Sequence, residues 1–194
     1  MKKGVPHAPS GSTYGRYTYV CIPIGSGDIL TQYSDEGGLF TTPNDGERLI
    51  VRQKDLVDNA TPSANSVAAL ALQRLAALTG DERYLEHADG ILKLLARIVS
   101  SAPTAFPHLL CALHLRHVGP TEVVVTGKRG DLVRTIHARW LPTVVLGWGE
   151  EFPSPLFAHR REDLAYVCRQ YACQAPASSR DDLVAALRDA LTNR

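Results

Sequence analysis

Apolar positions recur at helical spacing in three successive stretches of the chain. Val67, Ala71, Leu75 and Leu78 mark the first, widened by Leu70 and Leu72. A stripe this broad predicts a well-buried helix. Thr61 is placed to cap it, and Pro62 suits its first helical position. Gly80 ends it and Asp81 caps a second helix, whose inner face reads Tyr84, Ala88, Ile91, Leu95 and Ile98, widened by Leu85, Leu92 and Val99. The connection Thr79-Gly80-Asp81 is short enough to predict an antiparallel helical hairpin. A third helix follows Pro103, with Leu109, Leu110, Leu113 and His117 on its inner side.

The pattern differs before and after these helices. Residues 1–35 are rich in Gly, Ser, Pro and Tyr and carry no helical period, although Tyr17 to Ile24 has the β-favouring composition of a strand. Two extended runs, 37–42 and 47–52, flank Pro43-Asn44-Asp45-Gly46, which has turn chemistry and predicts a β-hairpin. After Gly119-Pro120 the chain reads strand (122–127), short helix (131–140) and buried strand (143–147), the order of a βαβ unit with parallel strands. Residues 164–168 and 171–174 form a tight hairpin, and Leu183, Leu187 and Leu191 line a last amphipathic helix. The expected fold is therefore mainly α with an α/β tail: helical hairpins, then a small βαβ-ββα unit. The expected division is an irregular segment 1–35, a helical part 36–119 and a small α/β part 120–194.

Charge narrows the classes of partner. Twenty-one basic against 20 acidic residues leave a net charge of +1, without the basic excess that nucleic acid or an anionic membrane surface requires. No apolar run approaches the roughly 20 residues of a membrane span. Residues 5–15 are polar and glycine-rich where a secretory signal would need its apolar stretch, so a cytoplasmic location is expected. Of the four cysteines, Cys111 falls in an apolar helical pattern and reads as a buried small hydrophobe.

Two stretches carry a family resemblance. One is GGLFTTPNDGERLIVRQKDLVDNATPSANSVAALALQRLAALTGDERY, residues 37–84, and the other is YVCRQYACQAP, residues 166–176. Together they resemble the C-terminal end of the YyaL-like, spermatogenesis-associated thioredoxin-domain family, over about residues 37–194. The resemblance implies an N-terminal thioredoxin-like domain joined to an (α/α)6 barrel, itself similar to six-hairpin glycosidases and to sugar epimerases of the N-acylglucosamine type. It thereby implies a link to carbohydrate. The chain departs from that pattern: it has neither the thioredoxin-like domain nor its Cys-x-x-Cys motif, and three helices precede residue 119 where six hairpins take about twelve. A truncated product is the expectation, partnered by a second copy of itself or by a separately encoded N-terminal half.

Within this frame the strongest ligand-binding candidates are Arg52, Lys54, Asp55, Asp58, Ser63 and Asn65, gathered before the first long helix. Loops at one end of the hairpins line the pocket in barrels of this architecture, and carboxylate and amide groups there would bind sugar hydroxyls. The competing role is structural, with Asp58 and Thr61 satisfying free N–H groups at the helix start and Asn65 holding the loop. Catalytic residues are not assignable. Glycoside hydrolysis takes two flanking carboxyl groups, but Asp55 and Asp58 share one loop, and Glu150 and Glu151 are adjacent.

Cys168 and Cys173 would face each other across a Gln170-Tyr171 turn, close enough for a disulfide. Their Cys-x4-Cys spacing is not the Cys-x-x-Cys redox motif, so buried structural thiols compete with a redox role, with metal binding as a third alternative. His108, His114 and His117 lie on one helix without further metal-ligand types beside them, and Gly127-Lys128-Arg129-Gly130 is a strand-to-helix turn lacking a full phosphate fingerprint. Neither a metal nor an organic cofactor is expected. A non-catalytic interaction module and a thiol-redox accessory remain as alternatives to the carbohydrate reading.

Overall fold

A computed structural model of the chain describes residues 33–42, 50–149 and 154–192. The strand expected over 17–24, the turn at 43–46 and the Glu150–Glu151 pair lie outside the described residues.

Three helices come first: α1 (Ala64–Thr79), α2 (Glu82–Ser101) and α3 (Pro107–Val118), the last preceded by a 3-10 turn at Pro103–Ala105. Gly80 adopts the left-handed conformation that closes α1, and the Asp81 side chain accepts the Arg83 N–H to open α2. The α1 cap is Ser63, not Thr61; its hydroxyl accepts the Ser66 N–H. The buried face of α1 is also rotated from the expected one. Ala68, Ala69, Leu72 and Ala77 are buried, whereas Leu75 is 37% exposed. The reason lies in packing: α1 contacts both α2 and α3, and small alanines let two neighbouring helices approach it closely. Ala88, Ile91 and Leu95 of α2 and Phe106, Leu109 and Ala112 around α3 complete this core. His117 and Cys111 are exposed, contrary to expectation, because the inner side of α3 is Leu109, Ala112 and Leu115.

The segment 33–42 lies on these helices. Tyr33 and Leu39 form an isolated bridge, and the Tyr33 hydroxyl donates to the His87 carbonyl at 3.0 Å. Gly37 has φ 91°, and a side chain there would strike the Gly90 carbonyl of α2, so the backbone approach requires glycine. Residues 47–49 of the expected hairpin lie outside the described residues; among those described, Arg52 donates to Thr42, and the Thr41 N–H bonds the carbonyl of Gln53, just beyond the expected run, at 2.8 Å.

A four-stranded mixed sheet follows, in the order β2-β1-β3-β4. Strand β1 (Thr121–Val125) leads through α4 (Gly130–His137) to β2 (Val144–Trp148), which it pairs in parallel. Strand β3 (Ala165–Arg169) runs antiparallel to β1 and turns back into β4 (Ala172–Cys173). Gln170 and Tyr171 both have positive φ, 50° and 62°, the backbone of a type I′ turn. The final helix α5 (Arg180–Thr192) opens with a reciprocal cap between Ser179 and Asp182. Val123, Val125 and Val167 pack against Leu132, Ile136, Leu183 and Leu187 on one face of the sheet. Strand β1 is buried along its whole length, because its other face is covered as well.

That other face meets the helical part. The Arg169 guanidinium donates to the Val118 carbonyl at 2.6 Å, the Tyr171 hydroxyl to the Ala76 carbonyl at 3.2 Å, and the Arg74 guanidinium to the Pro142 carbonyl at 3.2 Å. The molecule is thus mainly α with a small α/β unit docked on it. No helix among the described residues is long and apolar enough to cross a membrane.

Candidate functional site

The six residues singled out before α1 do converge, on the segment 37–42 and the starts of α1 and α3. Asn65 is fully buried. Its amide oxygen accepts the Leu39 N–H at 2.7 Å, and its amide nitrogen donates to the Leu39 and Asp55 carbonyls at 3.0 and 2.7 Å. One side chain thus supplies Leu39 with both bonds that a neighbouring strand would have made. Asp58 is also buried, and it caps a helix 50 residues away rather than the one beside it. One carboxylate oxygen accepts the Ser63 N–H at 2.8 Å; the other accepts the His108 and Leu109 N–H groups of α3 at 2.8 and 3.2 Å. Burial alone raises the Asp58 pKa, but these donors and Ser66 outweigh it and hold the carboxyl below its ordinary value. Asp55 accepts the Ala64 N–H at 2.9 Å, and the Lys54 ammonium donates to the Gly37 carbonyl at 2.8 Å. Arg52 donates to Thr42 and stacks 4.0 Å over the Phe40 ring.

Asn65 therefore spends its polar atoms on backbone, and Asp58 and Ser63 spend theirs on backbone and on Ser66, while Arg52, Lys54 and Asp55 keep accessible surface. None of the six lines either of the two best-formed cavities among the described residues.

The larger cavity, about 570 Å³, lies where the sheet meets the helices. The C-terminal ends of α1 and α3, the start of α2, β1 and the β3–β4 turn enclose it. Among its lining residues is Glu122, which heads the β-branched run and was not among the sequence-predicted site residues. Glu122 is 2% exposed, and its Oε2 has no hydrogen-bond partner. Burial raises its pKa to about 6, against the pull of the Tyr171 and Gln170 N–H groups and the Arg169 charge. The Tyr171 phenol is raised too, first by burial and then by the charges of Glu122 and Glu82. Arg116 lines the same cavity but is held bidentately by Asp89, at 2.6 and 3.0 Å.

Cys168 and Cys173 are directly opposed in the hairpin register and joined as a disulfide. Arg160 brings its guanidinium to 3.0 Å from the Cys173 sulfur and 3.7 Å from that of Cys168. Among the described residues there is no cluster of three metal-ligating side chains, His108, His114 and His117 included. The Gly127–Gly130 turn is occupied by protein: the Lys128 N–H donates to the Asp163 carboxylate at 3.2 Å.

With this geometry in view, the chain is similar to spermatogenesis-associated protein 20. The human protein is 31% identical over 166 residues, 77% of this chain and 21% of that protein. The Rattus norvegicus protein of the same name is 30% identical with the same coverage. An uncharacterized protein of Caenorhabditis elegans is 24% identical over 159 residues, 75% of this chain and 22% of its own length. The chain thus spans about a fifth of the length of the curated relatives it matches. No protein-family profile and no solved structure matches it. The relatives support the spermatogenesis-associated family resemblance carried by residues 37–84 and 166–176, and their names state no reaction.

The two buried carboxylates predict opposite pH behaviour. Asp58 has a depressed folded pKa, so its contribution is full above the ordinary aspartate value of 3.8 and is lost as the pH falls through the folded value. Asp58→Ala is expected to lower stability at pH 7 by about 2–3 kcal/mol through the lost charged hydrogen bonds, with the gap to wild type closing below about pH 4; urea melts across pH check this. Glu122 has a raised folded pKa, so the wild type loses stability as the pH rises from 4.5 through about 6. Glu122→Gln should be more stable than wild type at pH 7.5 by up to about 2 kcal/mol, the difference vanishing near pH 4.5.

Proposed function

We propose that the chain supplies closing hairpins to an (α/α)6-type barrel in a thioredoxin-domain protein of the spermatogenesis-associated family, and that the completed barrel handles a carbohydrate. The observation that carries this reading is the α1–α2 hairpin with α3 laid on its first helix, within a chain that matches only a fifth of its relatives. Further support comes from apolar side chains left in solvent along this unit. Val51, Ile98 and Leu110 are 70%, 46% and 40% exposed, and surface of this kind marks a face that another unit covers. Arg52, Lys54 and Asp55 are the polar groups that the 52–65 loop offers to a ligand, and Asp58, Ser63 and Asn65 hold that loop in place. The partner is a second copy of the chain or the remaining hairpins.

A second reading, thiol–disulfide exchange, is favoured by Arg160 beside the disulfide. A thiolate of an external dithiol attacks the part-exposed Cys173 sulfur, and the Cys168–Cys173 bond breaks. Cys168 leaves as a thiolate beside the Arg160 charge. The second thiol of the dithiol then displaces Cys173, giving two protein thiols and an oxidised dithiol. Two electrons pass to the protein, and two protons from the dithiol end on its cysteines.

Light scattering of the purified chain is expected to give a mass above the 21.1 kDa monomer, and a saccharide array to retain the assembly. A monodisperse monomer would remove the pairing, and an array without retention would remove the carbohydrate link. For the second reading, thiol titration in denaturant should count two thiols before reduction and four after. Arg160→Ala should slow reduction by dithiothreitol several-fold, since the leaving thiolate loses its cation. Four thiols before reduction, or an unchanged rate, would refute it.

A further inference from the structure

Strand β1 is covered on both faces, and Glu122 is the charged residue within it. Its neighbours across the sheet are Val145 and Cys168, neither of which carries a formal charge. A carboxylate oxygen buried without a partner is costly to keep, and here its residue lines a cavity large enough for a small molecule, with the oxygen itself covered. We propose that this cavity is a binding site for a small organic ammonium ion, and that the Glu122 side chain turns from its buried position to accept the ligand's N–H at Oε2.

The surroundings favour a cation over a neutral polyol or an anion. Lining the cavity with Glu122 are Asp81 and Glu82 at the start of α2, Arg116 and His117 at the end of α3, Arg169 of β3, and Tyr171 in the turn; the Arg169 charge acts on Glu122 but does not offset its burial, and that guanidinium donates to the Val118 carbonyl. Asp89 holds Arg116, and Arg83 holds Asp81 by the contacts at 2.6 Å. Glu122 and Glu82 are the two carboxylates whose charge is felt at the Tyr171 ring. Helices α1 and α3 both end on the cavity, at Gly80 and Gly119, and so turn the negative ends of their dipoles toward it. Gln73 adds a neutral amide from α1; its nitrogen is bonded to the Ala69 and Ala112 carbonyls, which orients the side chain. A divalent metal is a poor fit, because no three ligating side chains cluster among the described residues. The ligand is therefore a molecule that brings its own N–H donors and a short carbon chain to lie along Leu85 and Leu115. This site is separate from the 52–65 loop, and its occupancy does not depend on the barrel reading.

The test is isothermal titration of the whole chain with 1,4-diaminobutane and ethanolamine, against sorbitol and magnesium chloride as controls. At pH 7.5 the two amines should bind and the controls should not. Because Glu122 titrates at about 6, affinity should fall about tenfold at pH 5, where roughly a tenth of the carboxyl is ionised. Glu122→Gln should abolish binding with the far-UV circular dichroism unchanged. If that variant fails to fold, the carboxyl carbon of Glu122 in the ¹³C-labelled wild-type chain decides: saturating amine should move its titration to lower pH. Equal binding of sorbitol or magnesium, amine affinity indifferent to pH, amine binding retained by folded Glu122→Gln, or no binding at millimolar amine would each overturn the proposal.

Discussion

Every buried backbone N–H and carbonyl must find a partner, and in this chain side chains meet that demand where no ladder does. Segment 33–42 is not a sheet strand, yet Leu39 is buried against α1 and α2. Its N–H and carbonyl would be orphans if Asn65 did not take both. The start of α3 presents the same difficulty. It opens with Pro107 and has no cap of its own, and the Asp58 carboxylate arrives from the loop before α1 to accept two of its N–H groups. These two side chains tie three pieces of chain, far apart in sequence, into one helical unit. Leu72, Ile91, Leu95 and Phe106 lie in the buried core of this unit, and it can close only because these groups are satisfied.

The docking of the small sheet follows from the same rule. The β3–β4 turn needs positive φ at Gln170 and Tyr171, and this backbone carries Tyr171 toward the carbonyls at the end of α1. Arg169 closes the end of α3 in a comparable way, donating to Val118. Two helix C-termini are thus capped by side chains from one hairpin, and the cavity is the space left between them. The disulfide joins Cys168 and Cys173, the pair next to Arg169–Ala172, within the hairpin that positions those side chains.

Much of this was legible in the chain. The spacing of apolar residues located α2 from Asp81 onward, the βαβ order and the two-residue hairpin, because each depends on local periodicity or turn chemistry. The facing of α1 was not legible. Its leucines suggested one stripe, but contact with two helices at once buries the alanine side instead, and that choice is set by partners distant in sequence. Asp58 was recognised as a capping group, but its target was not, since a cap reaching 50 residues along the chain leaves no local trace. Cys111 and His117 were misplaced for a related reason: a short amphipathic helix can be rotated by a small angle without changing its pattern. Glu122 did leave a signal. A glutamate heading a β-branched run that is apolar on both faces is committed to burial as soon as both faces are covered.

Asp58 and Glu122 then separate what holds the structure from what it can bind. Both are buried carboxylates, and burial pushes both pKa values upward. Asp58 collects N–H donors from Ser63, His108 and Leu109 on its two oxygens, and its proton affinity ends below the ordinary value. Glu122 has one oxygen near the N–H groups of the hairpin turn and one with none, and its proton affinity ends well above. The first arrangement has nothing further to gain from a ligand. The second has a specific deficit, one hydrogen bond and part of a charge, in a residue that lines the cavity between two helix C-termini. A fold that satisfies Asn65 and Asp58 so fully, and leaves Glu122 short at the junction of its two parts, directs the search for a ligand to that junction.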